Sequence, residues 1–428
     1  MITGSLELEN PKAMEPVDTR DEEAPLVAIV EAPKNHHTRD VYILSFAFLF
    51  VFLAYGAAQN LESTVNTEEA LGTTSLGILY LSFTFFSVIA SLVVRFLGSK
   101  NALVLGTTGY WLFIAANLKP TWYTMVPASL YLGFAASIIW VGQGTYLTST
   151  ARSHASDYNL HEGTVIGNFN GIFWGMFGGH QFVGNLISLA LLRDGVQEGS
   201  TSGTTYCSLY FFAAQPWVPF LCASYINGMP VITPLLDVRM LLIIPLIAYS
   251  GLQQAFAWSE FTKYIVTPAL GVSGVGGTMA VYGACDAICS LAAGRLTSGL
   301  KSITLIVSVG AFIQAIVFLW LLLNHSVPSG VLGILYPTLM AALLGIGDGV
   351  FMTQLNALLG ILFKNDTEGA FAQLKVWQSA SIAFLFFLSP NISLQAMLLI
   401  VLAAVLVSYG GFLVLTLLVE KAFSSSSL

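Results

Sequence analysis

Gly142-Gln143-Gly144-Thr145-Tyr146-Leu147-Thr148 returns later in the chain as Gly347-Asp348-Gly349-Val350-Phe351-Met352-Thr353. A second pair lies at a similar offset: Ala54-Tyr55, then Gln59-Asn60, is matched by Ala248-Tyr249, then Gln253-Gln254. Arg95 and Lys100 correspond to Arg295 and Lys301, and Gly167-Asn168-Phe169 to Gly369-Ala370-Phe371. Matches at similar offsets through apolar sequence predict two structurally equivalent halves, a common plan among transporters.

The surroundings of these motifs are membrane-like. Hydrophobic residues make up 55% of the 428 and charged residues 9%, far below the roughly 25% charged of soluble domains. Leu76 to Val94, Ile303 to Leu323 and Leu394 to Leu418 are each long enough to cross a bilayer as helix. Lipid offers no partner to the backbone, so the spans are helical. Twelve are expected, near 41–58, 76–94, 102–118, 122–148, 164–191 and 205–226, then 240–258, 276–294, 303–323, 331–355, 370–388 and 394–419. The expected fold is an all-α multi-pass membrane protein of two pseudo-symmetric six-helix bundles, 41–226 and 240–421. A short linker, 227–239, joins them, and tails at 1–40 and 422–428 flank them.

The first tail holds nine acids against four bases, with prolines and few aromatics, and reads as disordered. No removable signal peptide is expected, because a basic start followed by a short apolar stretch and a cleavage site is missing. With twelve spans both tails share a side. Arg95, Lys100, Arg152, Arg239, Arg295, Lys301, Lys364 and Lys421 fall on it, against Lys119, Arg193 and Lys263 opposite, so both termini are expected in the cytoplasm. The sequons at Asn324 and Asn391 lie in short outer loops and that at Asn365 on the inner side, so none is expected to carry sugar. Four cysteines, Cys207, Cys222, Cys285 and Cys289, suggest neither a disulfide framework nor a metal site.

Gly163, Gly167, Gly171, Gly175 and Gly179 recur every fourth residue and predict a smooth helix stripe for close packing, which a sliding seam also uses. Ionisable groups inside the lipid zone are costly, about 3 kcal/mol or more, and survive when paired or hydrated. Asp286, Asp348 and Lys375 are such groups, and a buried Asp348–Lys375 ion pair is expected, with a role in assembly or in switching. Gln143, Gln181, Asn185, Gln253, Gln254, Gln354, Asn356 and Gln378 add amides to the expected interior around the central cavity, with Gln378 on the Lys375 face. Glu62 and Glu260 are candidate outer-gate residues, and His180 reads as a packing residue. The run Gly271 to Gly277 lacks the Gly-Lys-Ser/Thr ending of a phosphate loop. No catalytic constellation or cofactor motif is present, so no enzyme, cofactor or nucleic-acid partner is expected.

Trp140 to Thr148, Gln181-Phe182-Val183-Gly184-Asn185-Leu186-Ile187-Ser188, Tyr249-Ser250-Gly251-Leu252 and Gly347 to Leu355 together resemble the Unc-ninety-three-like family. The resemblance covers nearly the whole span region and implies a major-facilitator-type fold. It also implies regulation of a potassium channel or ion homeostasis, and other members of that family are trafficking partners of membrane receptors. The superfamily signature after the second span survives as Arg95, Gly98 and Lys100, with Arg95 where an Asp is usual, which weighs against ordinary transport cycling. Pro216 and Pro219 interrupt the expected sixth span, where the resemblance fades. The leading expectation is a channel accessory subunit in the bilayer, placed at the plasma membrane because the chain ends without a retention signal, with an endomembrane as the alternative. The alternatives are a secondary transporter of a small solute or cation, and a trafficking chaperone.

Overall fold

The computed structural model describes residues 36–65, 71–195, 232–235, 237–323 and 331–426. Among them the regular backbone is helical throughout. The first half supplies α1 (His37–Val65), α2 (Leu71–Leu97), α3 (Ser99–Ala116), α4 (Trp122–Asp157) and α5 (Glu162–Gly195). A short α6 (Ile232–Leu235) precedes α7 (Val238–Phe256), which widens into a π-helix over Ala257–Val266 and runs on into α8 (Thr267–Leu296). The chain then forms α9 (Leu300–Leu323), α10 (Val331–Leu362), α11 (Thr367–Leu388) and α12 (Leu394–Ser426).

Eleven of the expected spans coincide with these helices; the sixth, 205–226, lies outside the described residues. Tails 1–35 and 427–428, linker residues 227–231 and 236, Cys207, Cys222, Asn324 and the Glu62 side chain lie outside them too. Nine of the described segments are long and apolar enough to cross a membrane, so the chain is an integral multi-pass membrane protein. The most apolar are α9 and α12, which present Leu305, Phe312, Leu319, Leu406 and Leu417 outward. By contrast α5, with its glycines and amides, packs on α1, α8 and α10 inside the bundle.

Local sequence sets the helix ends. Thr121 caps α4 through a reciprocal pair with Thr124, and Asp366 caps α11 by accepting from Gly369 N at 3.0 Å. The glycine-rich run 271–277 is a corner: Gly271 takes φ 73, ψ 175, one membrane segment ends there, and the next begins at Gly274. That backbone conformation is open to glycine and strained for other residues.

The two halves meet chiefly where α5 packs on α8 and α2 on α11. A methyl group built on Gly171 would lie 2.7 Å from Gly294 Cα, and one on Gly167 or Gly175 would strike Thr297 or Leu291 at 2.4 Å. Here small residues let the backbones themselves touch. The stripe differs from the expected one at its ends. A step of four residues drifts about 40° around a helix of 3.6 residues per turn, so Gly163 faces His161 and Ile361, and Gly179 faces Leu49 on α1. Gly178 takes the last place on the α8 face, against Ala287 and Asp286.

The echoed motifs pack in parallel ways. Gly142 of α4 rests on Ala102 of α3, and Gly347 of α10 rests on Gln314 of α9. On the second seam, Thr84 Oγ1 of α2 and Ser379 Oγ of α11 are hydrogen-bonded at 2.9 Å.

Candidate functional site: a two-sided cavity

Between the halves lies a cavity of about 110 Å³. Its first-half wall is aromatic. Trp140 of α4 and Trp174 of α5 stack with ring planes 3° apart and centroids 5.7 Å apart. Phe52 of α1 packs on Trp140, Tyr110 and Phe177, and Trp140 Nε1 donates to Tyr110 Oη at 3.0 Å. Rings that interlock edge to face fix one another's orientation.

The second-half wall carries the charge. Tyr282 and Asp286 stand one turn apart on α8, and Lys375, Gln378 and Ser379 share a face of α11. Asp348 Oδ2 accepts from Tyr282 Oη at 2.6 Å and its Oδ1 from Gln254 Nε2 at 3.0 Å. Asp286 Oδ1 accepts from Ser290 Oγ at 3.2 Å. Lys375 Nζ donates to Gln378 Oε1 at 2.9 Å and lies 4.6 Å from the Trp140 ring centroid and 5.8 Å from that of Trp174. Gln378 Nε2 reaches Gln254 Oε1 at 3.4 Å.

The expected direct Asp348–Lys375 ion pair is therefore replaced by a chain: Lys375, Gln378, Gln254, Asp348, Tyr282. Helix rise explains why. Counted from the turn between α10 and α11, the two residues differ in height by about 9 Å at 1.5 Å per residue, and two glutamines fill that gap. Buried charges so placed are hydrogen-bonded without being neutralised in contact.

Of the residues singled out in the sequence, Asp348, Lys375, Gln378, Gln181, Asn185 and Asp286 line the cavity, as does His180. Gln143, Gln253, Gln354 and Asn356 do not. Gln143 is fully buried away from it, with neither amide atom hydrogen-bonded, and Gln253 turns toward Tyr282 Oη at 3.4 Å. Gln254, another of the expected interior amides, lines it too, whereas the Trp140–Trp174 pair was not among the expected cavity residues. Glu260 is buried in the π-helix and accepts from Ser389 Oγ, a tie within the second half rather than between halves.

One end of the bundle is closed by charge across the halves. Arg95 Nη2 meets Asp366 Oδ1 at 2.5 Å, and its Nε meets Glu368 Oε2 at 3.7 Å. Arg152 Nη2 donates to Gly360 O at 2.7 Å and its Nε to Glu162 Oε1 at 3.1 Å, while Lys364 Nζ bonds Glu162 Oε2. Glu162 stands outside the expected span. Partial burial alone would raise its carboxyl pKa, but Lys364 and Arg152 together hold it below the ordinary 4.5.

Comparison with known proteins agrees with this architecture. The E. coli fucose:proton symporter FucP superposes with a TM-score of 0.60 over 89% of this chain and 99% of its own, at 10% identity, a likeness of fold alone. The fold is thus of the major facilitator type. "UNC93-like protein 3" of Arabidopsis thaliana is 66% identical over 411 residues, 89% of this chain and 88% of that one. The Caenorhabditis elegans protein named "Putative potassium channel regulatory protein unc-93" is 29% identical over 87% of this chain and 60% of its own length. The family described as "Ion channel regulatory protein UNC-93" matches residues 63–215 and 222–413. On that match and on the Arabidopsis relative, the chain belongs to the UNC-93 family.

Proposed function

We propose that this protein regulates a potassium channel, acting on ion homeostasis as an accessory subunit built on a transporter-type fold. The observation that carries the reading is the family match through both halves. The nematode relative's name supplies the ion. In this reading both termini face the cytoplasm, the Arg95 and Arg152 clusters close the cytoplasmic end, and the protein resides in the plasma membrane. The proposed functional site is the cavity group Asp286, Asp348, Lys375, Gln378, Gln181 and Asn185. Co-expression with candidate potassium channels under voltage clamp tests it. Altered current amplitude or surface density, lost in Lys375→Ala, is the expected result; unchanged currents across a panel of channels would overturn it.

A second reading, transport of a small solute or cation, is favoured by one observation. Two carboxyl groups and a lysine line a cavity at the seam of the halves, where transporters of repeated architecture place their sites. Flux of potassium or protons into liposomes holding the purified protein alone, abolished by Lys375→Ala, would favour it over regulation.

A further inference from the structure

Three observations in the cavity point to a ligand chemistry that the regulatory reading does not contain. The first concerns Lys375. An ammonium carries three donors and no acceptor, yet Lys375 Nζ has one hydrogen-bond partner, Gln378 Oε1, and otherwise meets the faces of Trp140 and Trp174. Among the described residues no carboxylate pairs with it. A buried cation without an anion in contact is a costly arrangement.

The second observation is beside it. Trp174 lines the same cavity, is 3% exposed, and its Nε1 is buried with no hydrogen-bond partner among the described residues. Its stacking neighbour Trp140 differs, since its indole N–H is taken up by Tyr110. An unmet buried donor costs about 1–3 kcal/mol, so the Trp140–Trp174 pair has one satisfied and one idle N–H on the wall that Lys375 touches.

The third observation concerns the acids. Both oxygens of Asp348 already accept from protein donors, Gln254 and Tyr282, and one oxygen of Asp286 accepts from Ser290. Asp348 is thus served from within the second half, whereas the donors nearest the aromatic wall are under-used. Next to them Phe52, Phe83 and Phe177 offer apolar surface.

We propose that the cavity binds a small organic carboxylate with an apolar or aromatic body, its carboxylate accepting from Lys375 Nζ and Trp174 Nε1 and its body lying against the aromatic wall. The bound anion supplies Lys375 with the charge partner that the protein does not, and the two under-used donors beside the aromatic wall favour an acceptor group there. The assignment is independent of any channel: the ligand is cargo in the transport reading and an effector in the regulatory one.

The test uses the full-length protein in lipid nanodiscs with three probes of one shape: benzoate, benzamide and benzylamine. Isothermal titration calorimetry, with indole fluorescence as a second readout, is expected to show benzoate binding about tenfold or more tighter than benzamide, the scale of a charge-assisted hydrogen bond. Benzylamine is expected not to compete. Lys375→Gln should weaken benzoate by about tenfold or more, and replacement of Trp174 by benzothienylalanine, which keeps the bicyclic ring and puts sulfur in place of the N–H, by about fivefold. The benzothienylalanine variant keeps the ring packing, so its result stands even where Lys375→Gln unfolds. Binding of benzylamine in preference to benzoate, absence of benzoate binding to folded protein, or benzoate binding unchanged in the benzothienylalanine variant would each overturn the proposal. None of these outcomes bears on channel currents, so failure here is separable from failure of the regulatory reading.

Discussion

Lys375 and Asp348 stand on helices joined by a single turn, and they communicate through two glutamines instead of touching. Gln378 takes the lysine at 2.9 Å and Gln254 serves the aspartate at 3.0 Å, with 3.4 Å between the amides. Each amide both donates and accepts, so the chain has a direction and every link orients the next.

That dependence is measurable. Gln254→Leu leaves Asp348 Oδ1 without its donor and is expected to cost about 1–3 kcal/mol. Gln378→Leu acts on the same chain, so the double variant should be less destabilised than the sum by about 0.5 kcal/mol or more. Thermal unfolding of the four proteins closes the cycle; strict additivity would mean that the chain does not couple the two glutamines.

Gly171→Ala should be among the most damaging single methyl additions in the protein. The new carbon meets the Gly294 backbone, which cannot rotate away. A loss of about 1–3 kcal/mol is expected from overpacking. Gly179→Ala, whose added carbon would have its nearest neighbour at 3.7 Å, is the control and should be close to neutral. Comparable thermal midpoints for the two variants would contradict the placement of the α5–α8 seam.

Arg95→Asp should loosen the charged end of the bundle, placing like charge beside Asp366 and Glu368. Combining it with Asp366→Arg restores an opposite pair. The contribution is expected to be modest, about 1 kcal/mol or less, because the groups are partly exposed. Cysteine accessibility at this end reports the opening. Rescue by the exchange is the expected outcome, and equal labelling of single and double variants would count against the contact.

Acid should weaken the same end. The folded-state pKa of Glu162 lies below the ordinary 4.5, so the unfolded chain takes up its proton first as pH falls. The stabilisation is complete above about pH 5–6, declines as pH drops through 4.5, and is gone below the folded pKa. Glu162→Gln removes that part of the pH slope. Thermal midpoints between pH 7 and pH 3.5 check it, and parallel curves for the two proteins would refute it.

The bundle was legible in the sequence because lipid leaves the backbone one solution and long apolar runs mark it. The antiparallel relation of α10 and α11 followed from their short turn. What escaped was azimuth. Gln253 and Gln254 are adjacent and chemically alike, yet on a helix they point about 100° apart, and only Gln254 lines the cavity. Gln143 carries the place of Asp348 in the echoed motif but lies buried elsewhere in α4. Trp140 and Trp174 were hidden for another reason: an aromatic ring at a lipid face and one at a cavity wall read alike in composition. The glycine repeat was visible, and its drift around the helix decided which of its members meet α8.

The duplicated motifs began as equals in the sequence, but the chamber they enclose is not symmetric: all its rings but that of Trp258 come from one half, acids and base from the other. A guest there encounters two unlike surfaces and has one preferred way to lie. Exchanging the halves' roles would demand rebuilding both, so the pair has become a handed receptacle whose copies are no longer interchangeable.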